Sequence, residues 1–340
     1  MSLLELTLTR LRLFFREPSA VFWTFIFPIL LTVALGVAFR NRPPEPVSAA
    51  VEEGPGAPEL AAALRRDSRI RSQVVSHEKA RTELRASRAA LVVSPGPPVS
   101  YTFDPTRPES RLARALVDDA LQRAAGRVDP LRVVERRVTE PGSRYVDFLV
   151  PGLIGLNIMS SGMWGVAFVI VETRQKKLLK RLIATPMRKG EFLLSFVFLR
   201  MLFLALELPV LLGFARIAFE VGVRGSLALL VALSLLGALA FAGLGLLVAA
   251  RSTNTQTASG LINLVMMPMF LLSGVFFSAT NFPEVMQPLI RALPLTALID
   301  ALRGIMNEGA GLAAVARPAL ILALVAIASF ALALRAFRWS

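Results

Sequence analysis

The chain has 340 residues, of which 54% are hydrophobic and only 18% charged, with a mean hydropathy of +0.59. Soluble domains carry about a quarter charged residues, which excludes an ordinary soluble enzyme. The 38 Lys+Arg against 24 Asp+Glu give a net charge of +14, a balance suited to nucleic acid or an anionic membrane surface, and the hydropathy decides for the membrane over nucleic acid. There is no cysteine, so disulfides and thiolate metal sites are excluded.

Residues 1–18 set Leu3, Leu4, Leu6, Leu11, Phe14 and Phe15 among Arg10, Arg12 and Arg16, a pattern that predicts an interfacial helix leading into the bilayer; the alternative is a frayed extension of the first span. A spanning helix needs about 20 mainly apolar residues. Residues 19–39 lack any charge, include Phe22 and Trp23, and end at Arg40-Asn41-Arg42 with no small-residue cleavage site, which predicts a first span and not a signal peptide.

Composition then changes. Residues 40–147 alternate short β-branched runs (47–51, 73–76, 89–93, 99–103, 131–138) with helical patterns (57–70, 78–86, 108–125), predicting an inserted α/β or α+β domain. The single histidine, His77, stands beside Glu78 at a helix start. A solvated or capping role fits it, since one histidine cannot build a metal site. No nucleophile–base pair or metal cluster is present, so a membrane enzyme is set aside and no catalytic residue is assigned.

Residues 148–340 carry five more apolar runs, 148–171, 192–215, 225–250, 253–278 and 318–334, for six predicted spans. The last run is the shortest, and Arg200 and Glu207 interrupt the third. Short-loop Lys/Arg set orientation. Arg10, Arg12 and Arg16, seven basic residues between Arg174 and Lys189, Arg251, Arg335 and Arg338 all fall on one side when both termini are cytoplasmic. The 40–147 domain is then extracytoplasmic.

The densest signal is VETRQKKLLKRLIATPMRKGE, residues 171–191. Leu178, Leu179, Leu182 and Ile183 recur at helical spacing opposite a basic face, and Thr185-Pro186 stops the pattern. This predicts a short cytoplasmic helix over 172–184 that docks a partner; the plainer reading is a charged turn. In the third span Arg200 and Glu207 lie seven residues apart on nearly one face, with Pro209 following. Ionisable groups at this depth point to function. Arg200 stands near enough to the cytoplasmic end to snorkel; Glu207 has three options: to face a pathway, to pair with another span, or to lie protonated against Ser or Asn. Gly243 and Gly245 permit close helix packing. Pro283, Pro288 and Pro294 divide 279–311 into short pieces, predicting a shallow outer re-entrant element.

These motifs occur in an order that resembles the ABC-2-type transporter permeases. Glu172, Leu178, Arg181-Leu182, Ala184-Thr185-Pro186 and Glu191 match the intracellular loop of that family, although Lys176-Lys177 stand where it often has Gly-Thr. Pro268 with Leu271-Leu272-Ser273-Gly274-Val275-Phe276-Phe277, Asn281-Phe282-Pro283, Pro294-Leu295-Thr296 and Asp300-Ala301-Leu302-Arg303-Gly304 resemble its second motif block. FFREPSAVFWTFIF (residues 14–27) with Pro28 resembles its first-span entry.

The resemblance implies a six-span α-helical membrane protein of ABC-2 (type V-like exporter) architecture with a large extracytoplasmic insertion. It also implies the membrane subunit of an exporter in a bacterial cytoplasmic membrane, moving a drug, antibiotic, lipid or other hydrophobic or amphipathic compound, paired with a second permease and powered by a cytosolic ATPase. ATP and magnesium would reside on that partner; this chain has no G-x-x-x-x-G-K-[S/T] and no Gly-Lys dipeptide. Glu172, Lys177, Leu178, Leu179, Arg181, Leu182, Thr185, Pro186 and Glu191 become the expected ATPase-coupling residues. Arg200, Glu207, Pro209, Gly274, Phe276, Phe277 and Arg303 become the expected pathway or gating residues. The competing reading is a non-transporting sensor or anchor whose outer domain binds a ligand.

Overall fold

The computed structural model describes residues 18–38, 46–131, 144–177 and 189–337, together with Arg12 and Arg16. The expected interfacial helix, the strand at 131–138 and most of the helix at 172–184 lie outside the described residues. The chain separates into two compact units, one formed by Met1–Arg40 with Val138–Ser340 and the other by Asn41–Arg137.

The first unit is helical. It opens with α1 (Pro18–Val21), a π turn (Phe22–Ile26) and α2 (Phe27–Ala38), which run on without interruption. The wider turn sits just before Pro28, a residue with no N–H to give the ladder.

Five long helices come after the inserted unit: α6 (Tyr145–Gln175), α7 (Lys189–Phe219), α8 (Leu227–Arg251), α9 (Thr255–Leu272) and α12 (Leu312–Ala336). All five are long and apolar enough to cross a membrane. Their starts are chemically marked. Ser226 Oγ accepts from Leu229 N at 3.3 Å and Asn254 Oδ1 from Thr257 N at 2.7 Å, capping α8 and α9. The last span is longer than its apolar run implied, because Pro318 lies inside α12 and does not begin it. The shortest is instead α9, with 18 residues, which stops at Leu272 and not near residue 278.

Between α9 and α12 the chain breaks into short pieces. Two 3-10 turns (Ala279–Asn281 and Glu284–Met286), α10 (Gln287–Ala292), α11 (Pro294–Arg303) and a π turn (Gly304–Glu308) follow in order. Pro283 caps the second turn, while Pro288 and Pro294 stand in the first turns of α10 and α11, where a missing N–H costs nothing.

Helix α8 packs against both α6 and α12, and small residues set how closely. A Cβ on Gly245 would stand 2.9 Å from the Gly162 carbonyl oxygen and 3.1 Å from that of Met163, both backbone of α6. Gly243 meets Ser329 of α12 in the same way. Shape fit of this kind brings helices together where lipid removes the usual hydrophobic drive.

The Asn41–Arg137 unit is an α/β fold. Strands β1 (Val47–Glu52), β2 (Ile70–Val75), β3 (Leu91–Ser94) and β4 (Ser100–Thr102) form one sheet in the order β2-β1-β3-β4. β1 pairs in parallel with β2 and β3, and β3 antiparallel with β4. Helices α3 (Ala57–Arg65), α4 (His77–Arg85) and α5 (Pro108–Ala124) complete it. Two boundaries move from the sequence pattern: α3 ends at Arg65, and β2 starts at Ile70 in place of residue 73. The reason is Asp67, whose carboxylate accepts from the Arg69 backbone N–H at 2.9 Å and turns the chain. Ala49, Val51, Leu64, Leu91, Ala113 and Val117 form the core between sheet and helices. His77 lies at the surface with Nδ1 2.9 Å from Glu52 Oε1.

The α6–α8 contact predicts a large asymmetry between two glycines. Gly245→Ala must push two backbones apart and should cost about 1–3 kcal/mol. Gly165→Ala, which meets nothing within 4 Å, should be neutral or gain up to about 1 kcal/mol of helix propensity. Thermal unfolding in detergent, followed by circular dichroism, checks this; equal melting of the two variants refutes the packing argument.

Candidate functional site

The chemistry-bearing residues of the helical unit gather at three levels. At the expected cytoplasmic end, Glu172 belongs to the last turn of α6 itself, since that helix continues to Gln175. The expected separate helix starting at 172 is corrected on this point. The break comes at Lys176 and Lys177, the latter with φ of 55°, a left-handed conformation that costs a side-chain-bearing residue roughly 1–2 kcal/mol. Lys176 Nζ reaches back to Glu172 Oε1 at 2.6 Å. Leu178, Leu179, Arg181, Leu182, Thr185 and Pro186 lie outside the described residues. Glu191 falls in the first turn of α7.

The residue that sequence reasoning passed over here is Arg174. Its Nη1 donates to the Ala249 carbonyl at 2.9 Å and to that of Ser252. These are carbonyls at the end of α8, where the helix has no N–H of its own to offer and its dipole is negative. The guanidinium also stands 5.5 Å from the Phe337 ring, and Phe337 lies 5.9 Å from Phe192 at the start of α7. One side chain thus ties together the ends of α6, α8 and α12, against the beginning of α7. In the sequence Arg174 is one of seven basic residues, and only the need for a cation at the end of α8 distinguishes it.

At mid-span, Arg200 and Glu207 form an ion pair within α7. Arg200 Nη1 lies 2.9 Å from both carboxylate oxygens, and the residues are 3% and 2% exposed. Of the three options for Glu207, pairing with another span is not what occurs, because its partner is on its own helix two turns away. Snorkelling is likewise excluded for Arg200. The pair belongs to a buried stripe with Leu193, Phe196, Val197, Leu204 and Leu208. Nε and Nη2 of Arg200 have no partner among the described residues. Pro209, two residues on, is exposed and leaves the Ala205 carbonyl without its helical donor.

At the opposite end a clasp forms around Arg303. Its Nε donates to the Phe148 carbonyl at 3.1 Å and its Nη2 to the Gly274 carbonyl at 2.5 Å. The guanidinium lies 3.5 Å from the centre of the Phe148 ring, a cation–π contact. Gly274 has φ of +76° at the turn that ends α9, a conformation that favours glycine. Gly152 has to be glycine as well, since a Cβ there would stand 2.6 Å from the Val275 carbonyl oxygen.

Two further bonds close the clasp. Tyr145 Oη donates to the Phe276 carbonyl at 2.6 Å, and Asn307 Nδ2 to the Asp147 carbonyl at 2.9 Å. The second has a specific cause: Pro151, four residues after Asp147, has no N–H, so that carbonyl lacks its helical donor. Asp147 also caps α6, its carboxylate accepting from the Arg144 backbone and guanidinium at 3.0 Å. This hydrogen bond raises the pKa of Arg144 further, keeping it charged.

Of the expected gating residues, Gly274, Phe276 and Arg303 therefore meet at one place. Phe277 faces outward, 44% exposed, against Phe282. Arg200, Glu207 and Pro209 belong to the separate mid-span cluster. Tyr145, Asp147, Phe148 and Asn307 were not singled out from sequence. Pro151 inside an apolar run was the available signal, because it leaves a carbonyl that some donor has to serve.

A family profile described as "ABC-2 family transporter protein" matches residues 18–335. Among curated proteins, the chain is 28% identical over 207 residues to ABC transporter G family member 20 of Dictyostelium discoideum, covering 60% of this chain and 28% of that protein. It is 24% identical over 180 residues to the probable multidrug ABC transporter permease YbhR of Escherichia coli K12, covering 53% and 49%. Nodulation protein J of Rhizobium leguminosarum bv. trifolii is 28% identical over 169 residues, covering 48% and 63%. The matches thus take in less than two thirds of each relative.

The mid-span pair predicts a non-additive mutant cycle. Arg200→Met leaves a carboxyl that can take up a proton, whereas Glu207→Leu leaves a guanidinium that cannot lose one, so the second is the more damaging, at about 3–5 kcal/mol. The double variant Arg200→Met/Glu207→Leu should recover to within about 1 kcal/mol of wild type. Unfolding in detergent measures all four corners, and additive losses refute the pairing.

Proposed function

The chain belongs to the ABC-2 family of transporter proteins and is a multi-pass membrane permease; from this premise we propose that it is the membrane half of an ATP-driven exporter. The observation that carries the proposal is the Arg174 knot. A segment expected to dock an ATPase is rooted on one side by α6 and on the other by α7, and Arg174 joins that root to the ends of α8 and α12. A displacement imposed on residues 178–188 is therefore delivered to four helices together.

In this reading ATP and magnesium are held by a separate cytosolic ATPase, and a second permease, identical or paralogous, completes the pathway. The chain sits in a bacterial cytoplasmic membrane with both termini inside. The helical run from Pro18 to Ala38 supports a sixth span; in this reading, with both termini inside, the Asn41–Arg137 unit is extracytoplasmic. Leu178, Leu179 and Leu182 dock in an apolar groove of the ATPase while Lys177 and Arg181 fix the register, and Thr185-Pro186 ends the helix before Glu191 opens the next span. The cargo is a hydrophobic or amphipathic compound. Relatives named as probable multidrug permeases support that class.

The clasp at the far end acts as the outer gate. Arg303 holds α6, the turn after α9 and the re-entrant element closed, and export requires these contacts to part.

Co-purification tests the central claim. Tagged wild-type protein, solubilised from its native membrane, should retain an ATPase subunit that Leu178→Asp/Leu182→Asp loses. Arg174→Ala should keep the subunit bound while cutting transport-coupled ATP hydrolysis by about tenfold, the loss expected for one partly buried charge-assisted capping contact. If the ATPase stays bound to the Leu178→Asp/Leu182→Asp variant, the docking assignment is wrong. An ATPase stimulated without movement of any compound favours the sensor reading.

A further inference from the structure

The long helices differ in what they show to their surroundings. Among the described residues, the exposed side chains in the central half of the five spans are apolar, with one exception, Asn263 of α9. On α12 they include Leu320, Leu324 and Ile327, a face fit for lipid. On α9 the exposed stripe runs Gln256, Gly260, Asn263, Leu264, Met267 and Leu271. Those residues recur every three to four positions and so share one side of the helix. The other side, with Ala258, Ile262 and Met269, is buried, and α9 packs on α6, α8 and α11.

Depth makes Asn263 costly where it stands. It lies roughly 12–14 Å from either end of the 18-residue helix, at the middle of the hydrocarbon. Its side chain makes no hydrogen bond among the described residues. A second unserved group lies on the same side. Pro268, four residues after Leu264, has no N–H, so the exposed Leu264 carbonyl lacks its helical donor. Hydrocarbon satisfies neither the amide nor the carbonyl. Elsewhere the chain meets this need from within: Asn307 Nδ2 donates at 2.9 Å to the Asp147 carbonyl that Pro151 leaves free.

The chemistry of the face selects its occupant. A carboxamide is donor and acceptor at once, so two copies of it related by a two-fold axis satisfy each other, as an isologous interface requires. Helix α7 also exposes a carbonyl freed by proline, that of Ala205 before Pro209, but no exposed amide accompanies it. Gly260, one turn before Asn263, supplies room for close approach: a Cβ there would meet nothing within 4 Å. Small residues beside a polar one are what membrane helices use to pair.

We propose that this side of α9 is the contact face for a second copy of the chain, with Asn263 of each copy hydrogen-bonded to Asn263 of the other beside Gly260. The proposal rests on the reading above that a second permease completes the pathway. It deepens that reading by making the second permease an identical chain and by placing α9 at the two-fold axis.

The test uses the full chain in its native membrane. The sequence contains no cysteine, so single cysteines report without background. On oxidation with copper phenanthroline, Asn263→Cys and Gly260→Cys should form disulfide-linked dimers at least about tenfold above Leu324→Cys and Ile327→Cys, the excess expected of a held contact over chance encounter. Ile262→Cys, on the buried side, should stay at that background. Two differently tagged chains, one with Asn263→Cys and one with Ala205→Cys, should also give no more than background with each other. Sedimentation in detergent should show a wild-type dimer whose dissociation constant rises about tenfold in Asn263→Leu, the factor for one to two interhelical hydrogen bonds. Asn263→Gln should keep the dimer.

Crosslinking at 263 no greater than on α12, a maximum on the side of Ala258 and Ile262, preferential pairing of Asn263→Cys with Ala205→Cys, or an unchanged dissociation constant in Asn263→Leu overturns the contact. None of these readouts needs the ATPase. A chain that co-purifies an ATPase yet gives no disulfide at 263 refutes the pairing and leaves the exporter reading standing. A chain that crosslinks at 263 and binds no ATPase supports the pairing and refutes the docking.

Discussion

Hydrocarbon offers no partner to a backbone N–H or C=O, and the clasp around Arg303 answers to that constraint. The chain leaves regular helix at the turn after α9, at the broken element that follows, and at Pro151 within α6. Each freed carbonyl then needs a donor from elsewhere in the protein. Arg303 serves Gly274 and Phe148, Asn307 serves Asp147, and Tyr145 serves Phe276. The clasp is therefore first a solution to a solvation problem. The same bonds join α6, the turn after α9 and the re-entrant element.

The same logic operates at the other end with a charge instead of amides. The last carbonyls of α8 lack donors, and Arg174 supplies them from α6. Helices α6 and α8 are then fixed to each other at this end and along their glycine-lined contact. Helix α6 is shared by the two sets of contacts, at Arg174 near one end and at Phe148 near the other.

Much of the architecture was legible because hydropathy has no competitor over twenty residues. Five of the apolar runs became long helices with starts within a few residues of the pattern, six for the last. The alternating runs of residues 47–125 became strands and helices in the expected order. Boundaries moved where a local bond decided: at Asp67, which ends the helical stretch, and at Pro318, which a helix can contain when nothing else stops it. The functional clusters were only half legible. Arg200 and Glu207 could be placed on one face by arithmetic, yet their pairing depends on both side chains bending along the helix. The clasp joins residues more than a hundred positions apart, so no window of sequence contains it. Gly274 and Arg303 were found through family resemblance and not through any property that predicts their meeting. The docking face around Leu178 and Leu182 lies outside the described residues and stands on sequence alone.

The intrahelical placement of the buried ion pair has a mechanical meaning. A salt bridge between two spans in a low-dielectric interior would resist their relative movement, because separating the partners exposes two unpaired charges at a cost of several kcal/mol. Arg200 and Glu207 share α7 and keep their separation when that helix tilts or slides as a body. The pair can thus sit at the centre of a moving bundle without acting as a brake, while its remaining donors stay directed at whatever neighbours the stripe of Phe196, Leu204 and Leu208. Among the described residues, arginine hydrogen bonds between elements of the bundle lie at its two ends, at Arg174 and Arg303, and the ion pair in its middle lies within a single helix.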